Sequence, residues 1–242
     1  MRKLAAIFLL LGACNAADAG SRGSSMLYID AEAVDISGGA LNGLKLRGTM
    51  NLTADPRAFG GFSGLHIDGG RLSAITDHGW LLQADLKETD RGLIPVDAAF
   101  APMLDIDGAE LDRAGRDAEG LTIIDGDFAV SFERDHRIMF RQDDGRLGQS
   151  TTHRAFEALG SNKGLEALAT TAEDAIIAIA EEPVDGAFPM HLLRRNKGVV
   201  LGSLPALSRH NVTGADVGED QRLYLLLRDF SPFRGVSMRI LR

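Results

Sequence analysis

The chain has 242 residues, of which 45% are hydrophobic and 25% charged, so it has enough apolar residues for a sizeable core. The net charge of −8, without a Lys/Arg cluster to reverse it locally, argues against nucleic acid or an anionic lipid surface as the main partner. The single cysteine excludes an intrachain disulfide, so we expect stability to come from packing.

The first residues have the features of an export signal. Arg2 and Lys3 precede an apolar run at residues 4–11, which is too short to span a bilayer. The sequence L-G-A-C that ends at Cys14 resembles a bacterial lipobox, in which the cysteine is lipidated and becomes the mature N-terminus. Residues 1–13 are therefore predicted to be a lipoprotein signal peptide, and the mature protein to be periplasmic and lipid-anchored. A plain secretory signal cut near Ala19 is the alternative.

Residues 14–25 are small, polar and rich in Gly and Ser, which predicts a flexible tether before a domain at residues 26–242. Residues 26–36 alternate apolar and polar side chains and read as a strand, and residues 44–52 read as a second. We predict that the strand at 44–52 pairs with the last strands of the chain and closes the fold.

A repeated figure organises the rest of the chain. It consists of a short strand, a tight turn and a second strand that ends in a charged residue, and it begins at residues 63, 119, 166 and 213. The starts lie 56, 47 and 47 residues apart, and the spacing from the first residue to the last is 14, 14, 15 and 15. A period in the forties with about four short strands is typical of a propeller blade. We predict an all-β, β-propeller-like fold of about five blades, from four clear repeats plus terminal strands, with a ring that need not be fully closed.

Turn residues and alternating hydrophobicity divide each repeat into strands. The predicted strands are 64–67, 71–76, 80–86 and 93–100 in the first blade; 121–124, 127–132, 138–142 and 151–156 in the second; 166–170, 175–180, 191–195 and 198–202 in the third; and 214–217, 222–227 and 236–241 in the fourth.

The motifs of these repeats resemble those of a known family, the bacterial exported proteins described as having the esterase-like activity of phytase. The resemblance rests on G-F-S-G-L at 61–65 with T-D-H-G at 76–79, D-A-E-G-L at 117–121 with S-F-E-R at 131–134, N-K-G-L-E-A-L-A at 162–169 with A-E-E-P at 180–183, and L-L-R-D-F at 226–230. It implies a propeller-like fold, export and a hydrolase that acts on phosphate or carboxylate esters. Members usually carry a further C-terminal repeat, so we expect either a shortened member or a truncated reading frame.

Matching positions of a propeller repeat converge on the central axis from different blades, so the repeated acids are candidates for a site. Carboxylates that converge suit a divalent cation, most readily Ca²⁺, and the residues predicted as its ligands are Asp77, Glu133 and Glu181. Glu119 and Glu166 are the predicted catalytic residues, one of them as general base for an attacking water. Four neighbouring cations are predicted to bind a small anionic ester: His78, Arg134, Lys163 and Arg228.

The sequence is also compatible with two other functions. The acids can equally be scaffold residues that bond backbone amides or pair with adjacent arginines, which would make the protein a non-catalytic binding or envelope-interaction propeller. A lactonase that uses a metal would share the cation and differ in substrate. In every case we expect no nucleic-acid partner and contact with the membrane only through the N-terminal lipid.

Overall fold

The computed structural model describes residues 25–35, 46, 48–142, 145–161, 163–194, 198–206 and 209–242. The predicted signal peptide with Cys14, almost all of the tether and part of the predicted strand 44–52 lie outside these residues. The described part contains β-strands and no α-helix, and no segment of it forms a helix that could cross a bilayer.

In chain order the strands are β1 (Ser25–Leu27), β2 (Asp30–Ala33), β3 (Met50–Thr53), β4 (Phe62–Asp68), β5 (Arg71–Thr76), β6 (Trp80–Thr89), β7 (Gly92–Pro102), β8 (Ala118–Ile124), β9 (Asp127–Phe132), β10 (Arg137–Arg141), β11 (Leu147–Thr151), β12 (Ala167–Thr170), β13 (Ala175–Ile179), β14 (Ala187–Arg194), β15 (Gly198–Pro205), β16 (Asn211–Val217), β17 (Leu223–Ser231) and β18 (Gly235–Leu241).

The strands form four antiparallel blade sheets arranged as a ring, so the propeller prediction is confirmed. The first sheet contains β4 to β7, the second β8 to β11, the third β12 to β15 and the fourth β16 to β18. The inner strands lie side by side in the order β4, β8, β12 and β16. The structure has four blades where we predicted about five, because the terminal strands build no further blade in the described part of the chain.

Tight turns make the hairpins that the repeat requires. Asp125 and Gly126, between β8 and β9, both have positive φ, as do Gly69 and Gly70 between β4 and β5. Two central residues with positive φ define the type I′ turn, whose twist matches that of the strands beside it. The repeat therefore begins in each of these two blades with a sharply defined inner hairpin.

Apolar side chains fill the space between neighbouring blades. One cluster, which includes Ile75 and Phe132, lies between the first and second blades, and another, which includes Ile138 and Ile176, lies between the second and third. A third cluster packs Phe188 and Ile179 of the third blade against Leu227 of the fourth. These buried layers hold the inner strands, and the acids at their ends, in fixed relative positions.

Three strand predictions are wrong. The described part of the predicted strand 26–36 is divided into β1 and β2, which lie in different sheets. Residues 50–52 of the predicted strand 44–52 belong to β3, which pairs with β2 rather than with the last blade, while β1 extends the first blade beside β7. The outer strand of the second blade is β11, not residues 151–156. Phe156 lies in a turn after β11 and is buried there with its ring centroid 5.1 Å from that of His191, so its hydrophobicity reflects packing from a loop.

Candidate functional site

One backbone hydrogen bond recurs at the same end of three blades. In each, the first or second residue after the second strand donates its N–H to the carbonyl oxygen of a residue that precedes the inner strand, over 2.9, 2.8 and 3.0 Å. The three pairs are Asp77 with Gly61, Glu133 with Asp117, and Glu181 with Gly164. In the fourth blade Arg228 stands opposite Asn211 in the β16–β17 register. The last residues of the four repeats, which are Asp77, Glu133, Glu181 and Arg228, therefore lie on one rim of the ring.

Three carboxylates of the second blade come together at this rim. One oxygen each from Asp117, Glu119 and Glu133 lies within 4.8 Å of the others. Asp117 precedes β8, Glu119 belongs to it, and Glu133 follows β9, so the hairpin itself builds the group. We call these three residues the carboxylate cluster. They are the described residues that best match the donor set of a divalent cation.

Crowding of like charges, together with burial, makes the acids of the rim hard to ionise. Burial raises the pKa of Glu119 to about 9, and the charges of Glu166 and Glu133 add to that effect. Burial likewise raises the pKa of Glu166 to about 8, with help from Glu181 and against the opposing charge of Arg228. The pKa of Glu133 is raised as well, again mainly by burial. The rim therefore holds protons at pH 7 that exposed carboxylates would release.

Some of the predicted substrate-binding cations are already paired. Nε of Arg134 lies 2.8 Å from Oδ2 of Asp117, and Nζ of Lys163 bonds to the carboxylate of Glu182. Nδ1 of His78 lies 3.1 Å from Oδ1 of Asp77. Arg228 lies close enough to Glu166 and Glu181 for its positive charge to oppose the burial that raises the pKa of both.

The other two predicted metal ligands lie outside the carboxylate cluster. Oδ1 of Asp77 is buried and accepts no hydrogen bond, since its contact with His78 has the distance of an ion pair without hydrogen-bond geometry. Oε1 of Glu181 lies 3.4 Å from Nδ2 of Asn211 and accepts its hydrogen bond. Of the three predicted metal ligands, Glu133 therefore lies in the carboxylate cluster. Its partners there are Glu119, which is predicted from the sequence as catalytic, and Asp117.

Residues 57–242 match the sequence model of a family described as phytase-like, with the esterase-like activity of phytase. The chain belongs to this family. No curated protein sequence matches it. Among solved structures, this phytase-like propeller is similar to the β-propeller domain of Cps50 (Swd1) from Myceliophteria thermophila, with 13% identity, a TM-score of 0.38, and 74% of this chain and 50% of that chain covered. It is also similar to YCF48 bound to D1 peptide, with 10% identity, a TM-score of 0.37, and 80% and 57% covered. The chain thus spans 50% and 57% of the length of those two chains.

Glycines let the inner strands of this phytase-like propeller approach one another. A Cβ on Gly120 would lie 2.7 Å from Oγ of Ser131 and 3.1 Å from the carbonyl oxygen of Glu166. Instead, Oγ of Ser131 accepts a hydrogen bond from the N–H of Gly120 and donates one to the carbonyl of Leu165, over 2.8 and 2.6 Å. This buried bridge between the second and third blades brings Glu119 near Glu166.

Asp117 is the residue of the cluster that the sequence reasoning did not single out. It opens the D-A-E-G-L motif two residues before Glu119, and residues two apart on a strand share a face. That spacing in the sequence indicates that Asp117 and Glu119 lie together. Asp117 is not a repeated acid, however, because the first, third and fourth repeats have Gly61, Gly164 and Asn211 at the matching position.

Proposed function

We propose that this phytase-like propeller is an exported, lipid-anchored hydrolase of small phosphate or carboxylate esters that uses a divalent cation. The observation that carries the proposal is the carboxylate cluster, whose oxygens lie within 4.8 Å of one another on a rim shared with Glu166 and Arg228. Membership of the phytase-like family supports a propeller of hydrolase type.

The carboxylate cluster fits a divalent cation in its chemistry. Its donors are hard oxygens, which Ca²⁺ prefers, and Asp117, Glu119 and Glu133 are brought together by one hairpin. As anions they repel one another, and this repulsion contributes to the raised pKa of Glu119. When bound, a cation would neutralise the anionic oxygens of an ester and increase the electrophilicity of its reacting centre.

Glu166 is the residue that we propose as general base. Its pKa of about 8 means that it gains and loses a proton close to neutral pH, which is the property a general base needs. In its ionised form it would accept the proton of a water that attacks the ester. Arg228, which faces Glu166, would hold a phosphate or carboxylate oxygen of the substrate.

The pairing of cations favours a second candidate, a non-catalytic periplasmic binding propeller. Arg134 and Lys163 are held by Asp117 and Glu182, so both would have to leave an ion pair to contact a substrate. A rim that holds protons at Glu119 and Glu166 and pairs its cations internally can serve as a scaffold for a partner without any chemistry.

Titration of Ca²⁺ into the metal-stripped protein by calorimetry tests the cation and separates the two candidates. We expect binding to one site, abolished in Glu119→Gln/Glu133→Gln and retained in the control Glu173→Gln, whose exposed carboxylate pairs with Arg194. The loaded protein would then be assayed with p-nitrophenyl phosphate, p-nitrophenyl acetate and a lactone. Absence of Ca²⁺ binding would remove the cation from the proposal. Binding without turnover of any of the three would favour the binding propeller.

Export and lipidation are proposed from residues 1–14 alone. The chain expressed in a bacterium with its own N-terminus should be found in the membrane fraction, whereas Cys14→Ser should not be lipidated. A lipidation label that persists in Cys14→Ser would remove the anchor from the proposal.

A further inference from the structure

A cavity of about 600 Å³ lies between the third and fourth blades, within the range of small-molecule pockets. Its walls are mainly apolar. The apolar residues that line it include Phe188, Leu204, Leu223, Leu225, Leu227 and Leu241.

Strand geometry explains why leucines dominate this wall. Leu223, Leu225 and Leu227 alternate along β17, so all three point to the same face of the fourth sheet. Leu241 of β18 stands opposite Leu225 in the register and continues that face. From the third blade, Phe188 and Leu204 are themselves a cross-strand pair. Two sheets therefore face each other across an apolar space.

Two arginines are the charged residues of this lining. Arg222 and Arg242 stand beside Leu223 and Leu241, where β17 begins and β18 ends. The side chain of Arg222 is 57% exposed, and its Nη1 lies 3.8 Å from Oδ2 of Asp220, too far for a hydrogen bond. A chain with a net charge of −8 thus presents two guanidinium groups at one end of an apolar cavity.

We propose that this cavity binds a free single-chain aliphatic carboxylate, with its hydrocarbon along the leucines and its head group at Arg222 and Arg242. Apolar walls favour the chain through removal of its surface from water, and guanidinium groups favour a carboxylate through charge-assisted hydrogen bonds. A neutral ligand would gain less from the arginines than a carboxylate does, and the lining side chains offer no donor to a metal.

The arginine end of this cavity is separate from the carboxylate cluster. In the β16–β17 ladder, Arg228 of the rim pairs with Asn211 at one end, and Leu223 pairs with Val217 at the other. The inference therefore stands independently of the proposed hydrolysis, and its test requires neither a cation nor an ester.

The test is calorimetric titration of decanoate and of decan-1-ol into the full chain in detergent-free buffer. We expect decanoate to bind with one-to-one stoichiometry. In Arg222→Gln/Arg242→Gln its affinity should fall about tenfold or more, while that of decan-1-ol stays the same. Because both arginines are exposed, we expect the double variant to fold, and an unchanged thermal melt would verify it.

Two further variants probe each end of the cavity. Leu204→Gln should weaken both ligands, because it places an amide in the path of the hydrocarbon. Asp220→Asn should strengthen decanoate binding about twofold to threefold, because it removes the anion that competes for Arg222. Arg71→Gln, an exposed arginine of the first blade, is the charge control.

Several results would overturn the proposal. Equal affinity for decanoate and decan-1-ol, or decanoate binding that the double arginine variant retains, would exclude a carboxylate site. Failure of decanoate to bind would exclude the ligand class. Binding to vesicles of phosphatidylglycerol that the double variant loses, without binding of free decanoate, would assign the arginines to a membrane surface instead.

Discussion

Nε of Arg134 lies 2.8 Å from Oδ2 of Asp117, so one member of the carboxylate cluster is already paired with a cation of the same blade. Arg134 reaches this position with a φ of 64°, in the left-handed region that few residues other than glycine adopt. The pair places an arginine and any bound cation in competition for the same carboxylate.

Removal of that competitor should strengthen cation binding. We expect Arg134→Gln to bind Ca²⁺ about threefold to tenfold more tightly than the parent protein, because Asp117 is freed. Arg71→Gln, which removes an exposed arginine of the first blade that pairs with Asp85, should leave the affinity unchanged. Calorimetry at low ionic strength measures both. Weaker binding in Arg134→Gln would mean that the arginine orders the cluster rather than competing for it.

Without a cation, the contribution of Glu119 to stability should fall as the pH rises. The pKa of Glu119 is about 9 in the folded protein and near 4.5 when unfolded, so the folded state holds the extra proton between these values. We therefore expect the contribution of Glu119 to the free energy of unfolding to decrease from pH 5 to pH 8. Glu119→Gln should raise the free energy of unfolding at pH 8 by about 1–3 kcal/mol and flatten the slope. Urea denaturation at both pH values checks this, with Glu173→Gln as control. A slope unchanged by Glu119→Gln would show that Glu119 is ionised at pH 7.

Cation affinity should show the opposite trend. Because ligands must lose their protons to bind, Ca²⁺ binding to the cluster should strengthen steadily from pH 6 to pH 9 and release protons on binding. Calorimetry in two buffers of different ionisation enthalpy counts those protons. Affinity that is independent of pH over this range would place the ion outside the cluster.

Two glycines at matching repeat positions should differ in their tolerance of a methyl group. A Cβ on Gly120 would lie 2.7 Å from Oγ of Ser131, whereas on Gly214 its nearest neighbour would be Cβ of Leu226 at 3.6 Å, an ordinary contact. We expect Gly120→Ala to lower the free energy of unfolding by about 1–3 kcal/mol and Gly214→Ala to change it by less than about 1 kcal/mol. Equal effects in denaturant titrations would contradict the close packing around Gly120.

A buried histidine should make the fold sensitive to acid. His191 is 2% exposed, and burial lowers its pKa below 6.5, so the folded state resists a proton that the unfolded chain accepts. The contribution of His191 to stability should therefore decline as the pH falls through 6.5 toward the lower pKa of the folded state, opposite in sign to that of Glu119. His191→Phe should reduce that decline, with the remainder due in part to His66, whose pKa is also lowered. Thermal melts at pH 7.5 and 5.5 measure the difference, and an unaltered decline would count against the buried neutral imidazole.

Sequence spacing was enough to predict the rim, because a backbone repeat places its residues at equal intervals. The intervals of 14 and 15 residues that brought Asp77, Glu133 and Glu181 together as candidates correspond to one recurring backbone hydrogen bond. The pairing of Arg134 with Asp117 could not be predicted, since it depends on a left-handed backbone conformation at a single residue.

Strand partners were predicted less well than strands. Residues near the N-terminus alternate as strands do, but alternation does not say which sheet edge accepts them, and β2 and β3 pair with each other. The outer strand of the second blade was predicted too late in the sequence, at residues 151–156, because Phe156 is large and apolar. Such a residue can be buried from a turn as well as from a sheet.

The recurring hydrogen bond at the rim uses main-chain atoms only, so it places no demand on the side chain that each blade presents. Asp77, Glu133, Glu181 and Arg228 already show that an acid and a base can occupy equivalent positions. A single substitution in one blade can therefore change which ligands the rim binds, while the backbone of the ring stays the same.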